Sequence, residues 1–142
     1  MAATKILLDT GPLVGYLAGK DAHHAWAEEQ WDRLFAPCLT CEAVVSEAVF
    51  LLLSKGMAAA RIGALLAAGS VILDFELEPH RAEVFALLEK YSDRPMSLAD
   101  GCLVRMAELH RDCRVFTTDP DFKVYRRFRH QVIPLIAPWE PD

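Results

Sequence analysis

Lys5-Ile6-Leu7-Leu8-Asp9-Thr10-Gly11-Pro12-Leu13-Val14 is the stretch that decides how this chain is read. A short apolar run stops at an acid, and a threonine, a glycine and a proline intervene before hydrophobic residues resume. Short apolar runs bounded by turn residues read as buried strands, and a proline just inside a new periodic segment marks a helix start. The stretch predicts a strand over 5–8 running into a helix through Leu13 to Leu17, with Asp9 at the corner.

The same alternation continues outward. Ala22 to Phe35, with Trp26, Trp31 and Leu34 among charges, reads as an amphipathic helix, and Pro37 to Thr40 as a brief strand. Glu42 to Lys55 is a strongly apolar helix stopped by Gly56, and Ala58 to Ala68 repeats the signal up to Gly69, which together suggest a helical hairpin. Ser70 to Leu77 has strand character, Pro79 opens a helix to about Tyr91, and Ser97 opens another toward His110. Val115 to Thr118 is a strand ending in Asp119-Pro120-Asp121, and Val132 to Ile136 a last strand before a proline-rich tail. Strands and helices alternating at these lengths predict an α/β fold, a parallel sheet covered by helices on both faces.

With 142 residues and no repeat or linker, one domain over 1–142 is expected. Charges interrupt every apolar run well before the ~20 residues that cross a bilayer, and no export signal precedes Asp9, so a soluble, cytoplasmic protein with no membrane role is expected. Four cysteines, Cys38, Cys41, Cys102 and Cys113, read as reduced, buried small hydrophobes; the spacing of the second pair does not suit zinc. The net charge of −5 argues against a polyanionic partner until its distribution is considered. Setting aside Asp9, Glu47, Asp100, Asp119 and Asp121 leaves 15 acids against 15 Lys and Arg, and Lys123 through Trp139 carries Lys123, Arg126, Arg127 and Arg129 with no acid. An acidic pocket beside a basic rim suits phosphate chemistry; a solvated basic face is the plainer reading of the same residues.

In open α/β sheets ligands bind beyond the carboxyl ends of the strands, where Asp9 and Asp119 stand. Each also has a plain role, Asp9 as a helix cap and Asp119 as part of a polar turn. Glu47 has Ala43, Val44, Phe50 and Leu51 as helical neighbours and so lies on an apolar stripe, where an ionised carboxylate must be paired or bound to metal. Asp100 precedes Leu103, Val104 and Ala107 on its face, and alternatively is the acid of a Ser97-x-x-Asp100 capping pattern. Together the four acids are donors suited to a hard divalent cation, Mg²⁺ or Mn²⁺. No histidine pair, glycine-rich phosphate loop or serine nucleophile motif competes with them.

These residues carry a resemblance to the PIN-domain nucleases, and in particular to the toxins of VapBC-type toxin-antitoxin pairs. Leu7-Leu8-Asp9-Thr10-Gly11-Pro12-Leu13-Val14 resembles the opening motif, and Glu47 in Val44-Val45-Ser46-Glu47-Ala48 its second acid. Asp93-x-Pro95-Met96-x-Leu98-Ala99-Asp100 resembles the third motif, and Phe116-Thr117-Thr118-Asp119-x-Asp121-Phe122 the fourth. The resemblance spans nearly the whole chain. It implies a three-layer α/β/α sandwich around a mostly parallel sheet of four or five strands, and Mg²⁺- or Mn²⁺-dependent hydrolysis of RNA.

Asp9, Glu47, Asp100 and Asp119 carry over as metal-holding residues, Asp121 less directly, and Asp93 only as an outer acid. Gly101 stands where the family often has alanine or another small residue and is expected to loosen the helix start. Lys123, Arg126 and Arg127 are candidates for contacting RNA phosphates. An antitoxin protein is the implied partner, and the apolar segments Val44 to Leu53 and Ala58 to Ala68 lead us to expect a homodimer. The competing functions are a phosphatase or DNA-directed nuclease using the same acids, and a catalytically silent PIN-like binding module.

Overall fold

The computed structural model describes residues 4–141; residues 1–3 and 142 of the expected domain lie outside the described residues. The apolar run that opens the chain forms β1 (Lys5–Leu8), with Leu7 and Leu8 fully buried, and passes into α1 (Thr10–Leu17). α2 (His24–Asp32) follows, shorter than expected; its Trp26 and Trp31 lie against Phe116, and Trp31 stacks on Tyr16 with ring centroids 4.3 Å apart. Next come β2 (Cys38–Thr40), α3 (Glu42–Ser54), α4 (Ala60–Ala67) and β3 (Val71–Leu73). Gly56 and Gly69 close the two helices with φ of 73° and 77°, a left-handed backbone that glycine adopts without a Cβ penalty. A 3₁₀ turn at Glu78–His80 leads into α5 (Arg81–Lys90), and α6 (Leu98–Leu109) precedes β4 (Cys113–Phe116).

All the strands of the main sheet are parallel, in the order β3-β2-β1-β4-β7, where β7 is Leu135–Ile136. Helices cover the sheet and bury its residues within one hydrophobic core. Three expectations are corrected. The strand over Val132 to Ile136 is two pieces: β6 (Gln131–Val132) pairs antiparallel with β5 (Arg126–Arg127) in a separate two-stranded sheet, and only β7 joins the main one. Pro134 divides the segment, consistent with its missing N–H donor. The strand expected over 115–118 is Cys113–Phe116, with the Thr117 N–H still donating to the Ile136 carbonyl at 3.0 Å just past its end. The helical hairpin does not form as such, since α3 packs chiefly on α1 and α6 while α4 packs on β3.

Among the described residues no helix is long and apolar enough to cross a membrane. The four cysteines are free and buried, as expected.

Candidate active site

Parallel pairing in register sets Leu8 beside Phe116, so the residues just past β1 and β4 stand side by side. The sheet continues from β1 toward β2 and from β4 toward β7, in opposite directions. This is the switch point at which a doubly wound sheet opens a crevice beyond its strand ends. Asp9 and Asp119 occupy its two lips.

Asp9, 4 % exposed, is the N-cap of α1. Its Oδ1 accepts the Thr10 N–H at 2.7 Å and its Oδ2 the Thr117 hydroxyl at 2.7 Å. The same Thr117 oxygen accepts the Asp119 N–H at 2.9 Å, so one hydroxyl joins both corners. Asp119 caps the 3₁₀ turn Pro120–Lys123, its Oδ1 accepting the Asp121 N–H at 2.9 Å. Gly11 lets these corners meet: a Cβ there would collide with the Thr118 hydroxyl.

Glu47 is joined to Asp9 through one intermediary, because the Thr10 hydroxyl donates to Glu47 Oε2 at 3.0 Å. Its expected setting is corrected. Val44 is buried, but Phe50 and Leu51 face solvent, so Glu47 is half-buried at the margin of α3 rather than on a buried apolar stripe.

At Asp100 the two readings coexist. Ser97 Oγ accepts the Asp100 N–H at 3.0 Å, as a cap does, while Asp100 Oδ2 accepts the hydroxyl of fully buried Tyr125 at 3.1 Å. Gly101 has a packing role that the expectation of a looser helix overlooked. A Cβ would stand 3.3 Å from both Val84 and Leu88, so glycine lets α5 lie close against the start of α6.

Burial pushes the Asp9 carboxyl up to about 7, with Asp100 and Asp119 adding to the shift and the Thr117 bond opposing it. Burial and then the charge of Asp119 push Asp100 up to about 6. Asp119 is also raised, chiefly by burial. The Tyr125 hydroxyl is held well above its ordinary value by burial and by Asp100, which keeps it a donor. Three mutually repelling carboxyls at one crevice carry a free-energy cost that a cation would relieve.

The donors are all oxygen, the set preferred by Mg²⁺ and Mn²⁺. Among the described residues no three His, Cys, Asp or Glu side chains are gathered as a ready-made metal cage. Both Asp9 oxygens already bond to protein donors. The fit is therefore to a cation held through few carboxylates, with water completing its shell.

Around this group the expected residues divide. Asp121 lies outside the buried set and pairs with Arg94 at 3.1 Å, and Asp93 is exposed. Lys123 is exposed, its Nζ 4.6 Å from the centre of the Trp139 ring. Arg126 is half-buried and donates to the carbonyls of Lys123, Val124 and Tyr125. Arg127 is a correction. It is 4 % exposed, with Nη1 donating to the Ala107 carbonyl at 2.8 Å, so it ties β5 to the end of α6 and does not reach RNA phosphate.

Thr10, Thr117, Tyr125 and Arg94 were not singled out from sequence. The two threonines sat within the acidic motifs, where a hydroxyl next to an acid was the available signal. Tyr125 and Arg94 gave none, since only the fold brings each to an acid 25 to 27 positions away.

A family model described as "PIN domain" matches residues 6–127. No curated protein sequence matches the chain. Among solved structures the fold is similar to that of VapC20 from Mycobacterium tuberculosis, described as a sarcin-ricin loop cleaving toxin. The TM-score is 0.77 at 20% identity, covering 84% of this chain and 94% of that one.

Proposed function

This chain belongs to the PIN-domain family, and on that premise we propose that it is a Mg²⁺- or Mn²⁺-dependent endoribonuclease, the toxin of a toxin-antitoxin pair. The reading includes one domain over 1–142, a cytoplasmic setting, and Asp9, Glu47, Asp100 and Asp119 as the metal-holding residues. One observation carries it: Asp9, Asp100 and Asp119 share a crevice at the switch point of the sheet, and each raises or is raised by another. The similarity to a toxin that cleaves the sarcin-ricin loop supports RNA as the substrate class.

When bound, the cation would make a water more acidic and neutralise charge on the phosphate and the leaving oxygen. The chain's own part is positioning. The Thr10 N–H and Thr117 hydroxyl fix the two oxygens of Asp9 at the first corner. Tyr125 orients Asp100, and Thr10 holds Glu47 at the margin, one hydrogen-bonded residue from Asp9. Asp121, paired with Arg94, would act from outside the shell. No side-chain nucleophile is needed for direct attack by water. Lys123, exposed beside this corner, is the best placed of the basic residues to meet a flanking phosphate. Phe50 and Leu53, 70% and 60% exposed on α3, support a protein partner, either an antitoxin or a second copy of this chain.

Purified protein is expected to cut RNA with Mg²⁺ or Mn²⁺, to lose activity in EDTA and to gain little from zinc. Asp100→Asn should abolish the metal-dependent cleavage. Cutting that survives chelation, or an Asp100→Asn protein as fast as the parent, overturns the reading.

A further inference from the structure

The β5–β6 hairpin starts at the crevice and carries charge that the proposed cleavage does not use. β5 begins directly after Tyr125, whose hydroxyl rests on Asp100, and the Arg126 N–H donates to the Tyr91 hydroxyl at 2.9 Å. From Tyr125 to Arg129 the chain can span at most about 14 Å.

Phe128 and Arg129 turn the hairpin with φ of 49° and 71°, and among the described residues no other non-glycine has positive φ. Two consecutive residues with side chains seldom adopt that backbone, which an Asn-Gly pair would take with little strain. Such a turn persists where its surroundings hold it. The Phe128 N–H donates to Glu108 Oε2 at 2.8 Å, and Lys90 Nζ donates to the Arg129 carbonyl at 3.2 Å. The guanidinium carbons of Arg111 and Arg127 lie 5.0 and 5.6 Å from the centre of the Phe128 ring. Arg127 is the buried anchor, so the turn fixes Lys90, Arg111 and Arg129 as one exposed group.

The charge of that group stands uncancelled. Glu108, the acid that touches the turn, is paired with Arg105 at 3.1 Å. Among the described residues Lys90, Arg111 and Arg129 take part in no ion pair. The chain as a whole carries −5, so a local basic strip is where a polyanion can approach it.

We propose that Lys90, Arg111 and Arg129 form a second RNA-contacting surface outside the acidic crevice, which binds phosphates of the strand beyond the one being cut. The identity of the polyanion rests on the ribonuclease reading above. Lys123 stands at the crevice end of this stretch of chain and Arg129 at its far end, so a strand leaving the crevice passes both. A row of cations that begins at the crevice suits the polymer that must enter it better than the face of an acidic protein. Phosphate contacts of this kind add affinity and hold the strand in place without reading bases. Substrate length then matters, because an RNA too short to leave the crevice cannot use them.

The test is fluorescence anisotropy with a single-stranded RNA of about 12 nucleotides, in EDTA so that nothing is cut, from about 50 to 200 mM salt. Arg129→Gln should weaken binding about fivefold at 0.1 M salt and lower the salt slope by about 0.7, the share of one phosphate on a single strand. Adding Lys90→Gln should lower the slope by about as much again, and Arg129→Lys should keep the parent slope. A trinucleotide should bind the parent and Arg129→Gln equally. Lys55→Gln, an equal loss of charge at the C-terminal end of α3, should leave the slope unchanged.

The proposal is overturned by a parent that does not bind the longer RNA, or by a folded Arg129→Gln chain with the parent's affinity and slope. It is overturned too if Lys55→Gln lowers the slope as much, which would reduce the effect to net charge. An acidic peptide of equal charge that binds through Arg129 more tightly than the RNA would assign the surface to a protein instead. Binding is read without cleavage, so the two readings fail separately. Arg129-dependent binding by a chain that cuts no RNA sinks the ribonuclease reading alone, and cleavage by a chain whose binding ignores Arg129 sinks this surface alone.

Discussion

The corner after β1 and the corner after β4 use one local device, a strand followed by an aspartate that caps the next helical turn, and the fold treats the two aspartates differently. Asp9 is buried, and its second oxygen is held by Thr117 from 108 positions away. Asp119 is half-buried and held by Asp121, two positions on. The position of Asp9 is thus defined by the assembled sheet, and that of Asp119 by its own turn. A capping residue and a site residue are not alternatives here. The depth at which the cap sits decides how much electrostatic cost it carries, and that cost is what a cation would recover.

The contrast predicts unequal damage. Asp9→Asn should reduce single-turnover RNA cleavage at saturating Mn²⁺ by roughly 10²–10³-fold, the size of losing one preorganised electrostatic partner. Asp119→Asn should cost less, because its turn keeps the backbone in place. Equal losses at both positions would break the comparison.

A smaller effect appears in metal-free stability. The folded Asp9 binds its proton up to about pH 7, whereas in the unfolded chain it has the ordinary aspartate value of 3.8. The native state therefore holds more protons between those values, and stability must fall as pH rises from about 4 to 7. A shift of about three units corresponds to roughly 4 kcal/mol. Urea melts in EDTA should show the parent weaker at pH 8 than at pH 5, with Asp9→Asn flattening the slope more than Asp119→Asn. Mn²⁺ at a hundred times its Kd should return about 2.7 kcal/mol. A parent that gains stability from pH 5 to 8 without metal contradicts the buried charge at Asp9.

The smallest effect sharpens the link between the corners. Thr117→Val removes the hydroxyl that Asp9 and the Asp119 N–H share. Titration calorimetry should show Mn²⁺ bound about tenfold more weakly, as for other residues that orient metal ligands. Unchanged affinity would mean that each corner is self-sufficient.

What could be read from the sequence follows from how local each cause is. β1, the Asp9 corner and the Ser97 cap were legible because apolar runs, turn residues and capping patterns act within a few positions. Glu47 was placed in the right neighbourhood for a reason that fails, since periodicity shows an apolar stripe but not that Phe50 and Leu51 face outward. Arg127 was misread because a charged residue in a basic run reads as surface. Only the fold reveals the Ala107 carbonyl that receives its guanidinium. The hydroxyl of Tyr125 reaches Asp100 through packing between Tyr91 and Phe122, which no short window of sequence contains.

The Thr117 to Asp9 bond has a consequence in time. The first strand of the sheet is made early, yet its aspartate has no Thr117 to hold it, and β1 no β4 beside it, until more than a hundred further residues have been added. At about 5–20 residues per second, synthesis of that interval takes on the order of ten seconds. Throughout it the acids exist only as separate, unassembled carboxylates on a growing chain. The pairing of β1 with β4 is also a contact of long sequence separation, of the kind that forms late in folding. A chain built this way cannot assemble its acidic crevice while most of it is still being translated, so whatever RNA surrounds its own synthesis is met by an incomplete site.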